Sequence, residues 1–318
     1  MSLSILITVD TELWCNGWKN LDACFPDALK KYIYGKTPSG EYGLPFLLRV
    51  LNDNELKATF FVEPLFALRF GPDSLAEIVG TILDAGQSVE LHLHTEWVDE
   101  AKSPLFPEIN EKRQHIRYFS YDEQVVLLDK ASELLRLAGA PKLHAFRAGN
   151  FGANFDTLRA LSTSNIGIDS SYNSNQPACE IDLNPPIYQA EIVRDILEVP
   201  MTIFRDGIGR QRPMQITACS LGELTAILNH AFQEKWQHLV LLTHSAEMLN
   251  DSKTRKSSVV VGRFVKFCEY LSKNNERFTT IDFRSPRLRP VDGEFSQLHC
   301  GALPTLTRLV EQAWGRLP

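Results

Sequence analysis

The chain of 318 residues has a formal net charge of -6 and 44% hydrophobic residues, a balance that suits a large α/β core and gives no basic footprint for nucleic acid. No apolar run approaches the roughly 18 residues a membrane helix needs. The six cysteines (Cys15, Cys24, Cys179, Cys219, Cys268, Cys300) form no C-x-x-C pair, so they read as free thiols rather than as a disulfide framework or a thiolate zinc site. The opening "MSLSILITVD" lacks a positive n-region and ends its short apolar run on a carboxylate. The expectation is a chain that starts directly on a core strand and works in the cytoplasm.

In chain order, β-rich runs are expected at 3 to 10, 58 to 63, 88 to 93, 143 to 148, 166 to 171, 196 to 201, 239 to 245 and 277 to 283. Between them lie amphipathic helical patterns. Residues 72 to 86 place Leu75, Ile78, Val79, Ile82 and Leu83 on one face before a glycine, and 122 to 138 repeat the pattern with Val125, Leu128, Leu135 and Ala138. "SLGE" at 220 to 223 is a capping box that starts the helix preceding the strand at 239, and a further helix is expected at 259 to 273. Such alternation predicts β/α units around a parallel sheet or barrel. The non-periodic stretches 14 to 43, 97 to 120 and 172 to 195 follow strand C-terminal ends, where barrels build their sites. The proline-broken tail from Ser285 reads as an extension, residues 286 to 318, packed on a catalytic domain of residues 1 to 285.

The C-terminal ends of the predicted strands carry Asp10 and Glu12, then His92, His94 and Glu96, then Arg147, Asp169 and His244. In a parallel α/β fold these ends share one rim, so residues distant in sequence converge there. In "VELHLHTEW", His92 and His94 face the same way if the strand continues, whereas His92 and Glu96 meet if the chain turns helical; either pair offers two ligands. Imidazole with carboxylate suits Zn²⁺ and neighbouring divalent ions. "ILITVDTEL" ends in two carboxylates, one able to bind metal and one able to accept a proton, although Asp10 could instead cap a turn. Arg147, in "AFRAGNFG", can grip a carboxylate through its fixed fork, or serve in a structural salt bridge. His244 closes the apolar run "LVLLTHSAEM" and suits a general acid if a carboxylate, Asp169 or Glu247, stands beside it.

The ordered set resembles the polysaccharide deacetylase superfamily, which contains the nodulation-factor and chitin deacetylases, and this chain is similar to a divergent intracellular branch of it. "TVDTE" resembles the T-F-D-D motif, "HLHTE" the H-x-x-x-H metal motif, "RAGNFG" the R-x-P-Y motif, "DSSYN" the fourth motif and "LLTHS" the last; "KATFFVEP" resembles the second-strand pattern. The resemblance spans residues 3 to 283 and implies a distorted (β/α)7 barrel. It implies Asp10 as catalytic base oriented by Arg147, His244 as general acid, and a divalent metal, Zn²⁺ first among the choices. Three positions depart from the pattern. Thr11 follows Asp10 where a second aspartate is expected, shifting the ligand role to Glu12. Glu96 stands in place of the second histidine, leaving Glu96 or His94 to join His92. Gly149 replaces the proline of the third motif.

The activity so implied is metal-dependent removal of an acetyl group from an N-acetylated sugar, a small or lipid-linked precursor in surface polysaccharide or lipopolysaccharide assembly. Hydrolysis of a non-sugar amide, as in allantoinase-like enzymes, and glycan binding without catalysis are the alternatives. Trp14, Trp97, Phe151 and Tyr172 lie just past the motifs, where they either stack on a sugar ring or pack in the core. The basic loop "SKTRK", 252 to 256, either meets a phosphate or is simply solvated.

Overall fold

The first strand, β1 (Leu3–Thr11), is buried along its whole length and lies in the middle of the molecule. Its residues alternate between two cores, as the period of two in a strand demands. Ile5, Ile7 and Val9 join the large cluster shared with the helices, whereas Leu6 joins a smaller inner cluster with Phe61, Val240 and Leu242. A computed structural model describes residues 2–315 of the chain. Around β1 the main sheet contains β2 (Ala58–Val62), β3 (Ser88–Leu93), β4 (Ala145–Ala148), β5 (Ile168–Asp169), β6 (Glu191–Val193), β7 (Ile196–Glu198), β8 (His238–His244) and β9 (Phe278–Thr280).

The nine strands run in the order β8-β1-β2-β3-β4-β5-β7-β6, with β9 beside the start of β1. All pairings are parallel except the β6–β7 hairpin. The sheet curls, and the gap beyond β8 is bridged by the segment 214 to 216: Leu242 N–H donates to Met214 O, Ile216 N–H to Leu242 O, and Met214 N–H to Thr202 O. The smaller apolar cluster fills the interior, and helices cover the outside. This is a curled, incompletely closed α/β barrel, one of the two architectures that the β/α alternation allows and the one that the family resemblance implies.

The eight expected strands occur, several of them shorter than read, as do the helices Asp73–Asp84, Tyr121–Leu137, Leu221–Gln233 and Ser258–Lys273. Ser220 caps its helix as expected: its Oγ accepts from Glu223 N–H, and Glu223 reaches back to Ser220 N–H at 2.8 Å. The non-periodic stretches hold more structure than their composition suggested, including the helix Leu21–Ala28 and strand β6. The tail is also ordered. Leu298–His299 pairs with Ile203–Arg205, and the helix Ala302–Gly315 sends Arg308 into a buried contact with Glu223 and Asp206. Among the described residues, no helix is long and apolar enough to cross a membrane.

Candidate metal centre and its flanking dyads

Strand parity aims the site residues inward. On β3, Val89, Leu91 and Leu93 pack outward, so His92 faces the interior; His94 keeps extended backbone angles and faces the same way two residues on. Only at Thr95 does the chain enter a 3-10 turn, Thr95–Glu100. Opposite them, the inward series of β1 runs Leu6, Thr8, Asp10 and on to Glu12. Ligand atoms of Glu12, His92 and His94 lie within 4.8 Å of one another, the one such His/Cys/Asp/Glu group of three among the described residues.

The two imidazoles are held with Nε2 toward this point. His92 Nδ1 donates to Arg147 O at 2.8 Å, and His94 Nδ1 donates to Glu96 Oε2 at 3.3 Å. Each Nδ1 contact leaves the Nε2 lone pair for a ligand role, the usual arrangement behind metal-binding histidines. Glu12 Oε2 lies 2.5 Å from His94 Nε2 and 3.4 Å from His92 Nε2, and Trp14 Nε1–H fixes the other oxygen at 3.0 Å. Buried His94 Nε2 nevertheless makes no hydrogen bond. That orphaned nitrogen beside a carboxylate oxygen fits a divalent cation taking the place of the imidazole proton, and two imidazoles plus a carboxylate are a donor set for such an ion with positions left open. Glu96 lies behind His94, on its Nδ1 side, and is not in the group of three.

Electrostatics follow from this crowding. Burial opposes ionisation of Glu12, but the His94 and His92 imidazoles outweigh it and hold the carboxyl well below the usual carboxylate range. Burial likewise disfavours charged His94, yet the Glu12 and Glu96 carboxylates raise its pKa well above the ordinary value.

Gly149 explains how the third-motif wall accommodates this arrangement. A Cβ there would lie 2.8 Å from both His94 Nδ1 and Leu93 O, so a side chain would displace the imidazole. The next two residues, Asn150 and Phe151, take left-handed backbone angles (φ 53° and 58°), an uncommon pair for residues with side chains.

Beside the triad stands Arg147, fully buried on β4. Its Nη1 donates to Asp10 Oδ1 at 2.7 Å and to Thr8 Oγ1 at 2.9 Å, while Nε and Nη2 reach Ser170 O and Ser170 Oγ. The guanidinium also covers the Phe61 ring at 4.4 Å. Every face of the fork is engaged, so Asp10 is held in one position, with Oδ2 at 4.0 Å from His92 Nε2.

His244 pairs in register with Asp10 across β1 and β8. Its Nδ1 lies 2.8 Å from Glu247 Oε1, and Glu247 is itself held by Gln215 Nε2 at 2.5 Å and Thr243 Oγ1 at 2.9 Å. Burial lowers the His244 pKa, but Glu247 more than compensates, raising it to about 9. The carboxylate at His244 is therefore Glu247 and not Asp169. Ile168 and Leu197 pack with the inner cluster, so Asp169 and Glu198 point the other way and meet each other in register. Burial raises both pKa values. The inward neighbour at this strand end is Ser170, which holds Arg147.

The four aromatic positions separate by burial. Trp97 is 1% exposed, edge-on to Trp18, Phe66 and Phe70, and belongs to the core; Tyr172 is 4% exposed, yet part of it lines a separate cavity of about 650 Å³ with Asn173, Gln176 and Cys179. Phe151 is half-buried. Trp14 sits edge-on to His94 with ring centroids 5.0 Å apart. It also lines a cavity of about 300 Å³ with Glu12, Tyr32, His244, Glu247 and Lys253. Sequence motifs carry no sign that Trp14 holds Glu12 or that Ser170 and Thr8 hold Arg147, beyond the inward parity of residue 8 on its strand.

No family model and no curated protein matches the sequence. Solved structures do. A provisionally assigned polysaccharide deacetylase from Mycobacterium smegmatis superposes with a TM-score of 0.55 over 93% of this chain and 95% of its own, at 16% identity. The 4-alpha-glucanotransferase from Thermococcus litoralis gives 0.53 over 89% of this chain and 40% of its own, at 10% identity. Likeness at these identities is likeness of fold, and the second neighbour shows that such a barrel hosts other chemistry. The chain has the curled α/β barrel fold of the polysaccharide deacetylases.

Proposed function

We propose that this protein is a metal-dependent hydrolase that removes the acetyl group from an N-acetylated sugar, a precursor in surface glycan assembly. The observation that carries the reading is the meeting of three elements on one rim: the donors Glu12, His92 and His94, the Asp10–Arg147 pair, and the His244–Glu247 pair. A divalent ion such as Zn²⁺ held by the three donors would supply Lewis-acid polarisation of the acyl carbonyl.

The side chains supply the proton chemistry. Arg147 fixes Asp10 through Oδ1, leaving Oδ2 on the His92 side to take a proton from attacking water. His244, kept protonated by Glu247, presents the ring nitrogen opposite its Nδ1 contact and gives its proton to the departing amine. The base is thus held in place by a cation and the acid by an anion. Trp14 and Tyr32 wall the adjoining space, which suits a single sugar unit.

The test is a panel of N-acetyl nucleotide sugars and cyclic ureides scored for acetate release and ring opening, with metal content measured on the same protein. Acetate release should fall about 10²-fold or more in Asp10→Asn and His244→Ala. Ring opening without acetate release would replace the sugar reading with an allantoinase-like one. A protein free of divalent metal that keeps full turnover in His92→Ala would remove the metal.

A further inference from the structure

The loop that follows the His244–Glu247 pair holds a cation that the chemistry above does not use. Asn250 organises this loop: its Oδ1 accepts from Thr254 N–H at 3.0 Å and Arg255 N–H at 3.1 Å, and its Nδ2 donates to Ser252 Oγ at 2.8 Å. Lys253 N–H returns to Asn250 O at 2.9 Å, and Leu249 and Lys256 close the loop base by an antiparallel bridge. Within it Lys253 takes a left-handed backbone conformation, φ 57°, which is costly for a side-chain-bearing residue and persists only where the surroundings impose it.

The consequence is a division among the loop's three cations. Arg255 and Lys256 are exposed, the latter over the Tyr42 ring, whereas Lys253 is half-buried and lines the cavity beside Glu12, Trp14, Tyr32 and His244. Its Nζ donates to Ala246 O at 3.0 Å. Among the described residues no carboxylate comes within ion-pair distance of this ammonium, because Glu247 is engaged by His244, Gln215 and Thr243, and Glu12 by the two histidines and Trp14. An ammonium has three donor hydrogens, and one is used. Burial pushes its pKa down, partly offset by Glu247, so the charge is held at a cost that an incoming anion would repay.

We propose that Lys253 is a specificity-determining residue that binds an anionic substituent, phosphate or carboxylate, carried by the N-acetylated sugar. This inference rests on the deacetylase reading for the identity of the sugar. The cavity is at the small end of ligand sites, about 300 Å³, so the anion belongs to the reacting sugar unit itself or to the group joined directly to it. Surface exposure alone would have made the basic loop a solvated one; its folding sends one of its three charges inward.

The test compares full-length wild type, Lys253→Met and Lys253→Arg, each first checked for an unchanged unfolding midpoint. Binding of N-acetylglucosamine, N-acetylglucosamine 6-phosphate and N-acetylmuramic acid is measured by calorimetry, and acetate release from each is recorded in parallel. In wild type at least one anionic sugar binds ten-fold or more tightly than the neutral one; the ratio falls to about one in Lys253→Met and is largely kept in Lys253→Arg. The phosphate and carboxylate arms identify which anion is read. Equal affinity for all three sugars, no measurable binding of any, or a ratio unchanged in Lys253→Met overturns the inference. Anion preference with no acetate release from any sugar overturns the deacetylase reading and leaves the role of Lys253 standing.

Discussion

Replacing Glu247 by Gln should uncouple His244 from its proton. In the native site the His244 pKa is set by opposing effects: burial lowers it, Glu247 raises it, and Glu12 and Asp10 contribute less, giving about 9. Glutamine keeps the size of the side chain and removes its charge, so the titration should fall to about 6.5 or below. At pH 7.5 the protonated fraction would drop from roughly nine-tenths or more to roughly one-tenth or less. Stability carries the same signature. The folded protein keeps this proton up to about pH 9 while the unfolded chain loses it near 6.5, so the stabilisation is complete below 6.5 and is lost as pH rises from there to about 9. The difference corresponds to about 3 kcal/mol, reduced toward about 2 kcal/mol because the imidazole is 27% exposed. Proton NMR of the His244 ring in chelator-treated protein reads the titration, and urea unfolding across pH 6 to 10 reads the stability. A wild-type His244 titrating near 6.5, or a Glu247→Gln protein still titrating near 9, would refute the reasoning.

Zn²⁺ binding should release protons, because the Glu12 and Glu96 carboxylates keep His94 protonated in the metal-free site and a ligand imidazole must be neutral. Affinity should therefore rise with pH, and calorimetric heats should differ between buffers of different ionisation enthalpy; identical heats would contradict this. Gly149→Ala should weaken metal binding about ten-fold or more without altering a ligand, since its Cβ would meet His94 Nδ1 at 2.8 Å; metal competition against a chromophoric chelator measures it. Trp97→Ala should cost about 3–5 kcal/mol in denaturant unfolding, as for other buried aromatics, while Trp14→Ala should cost much less and instead perturb ligand binding. Equal stability losses for the two tryptophans would contradict the division between core and site.

Much of the framework follows from local pattern. Each apolar strand ending in titratable residues was recognisable, and because successive side chains alternate, His92 with His94 and Asp10 with Glu12 were bound to share faces if their strands ran on. The Ser220 capping box and the helices with one-sided apolar spacing were equally local. What sequence left open were questions of neighbourhood. Glu96 or His94 depended on where β3 stopped, since extension through His94 puts both histidines inward and the subsequent turn moves Glu96 behind them. Asp169 or Glu247 depended on parity at β5: a single-residue offset turns Asp169 outward to Glu198 and gives Ser170 the inward place. Trp97 and Trp14 sit equally near their motifs, yet packing buries the first among Trp18, Phe66 and Phe70 and leaves the second beside Glu12. The same holds for Lys253, whose inward course comes from the Asn250 hydrogen bonds of its loop. Periodicity states which face a residue occupies, but which residue stands across from it is set by chain segments tens to hundreds of positions away, and only the closed barrel brings those together.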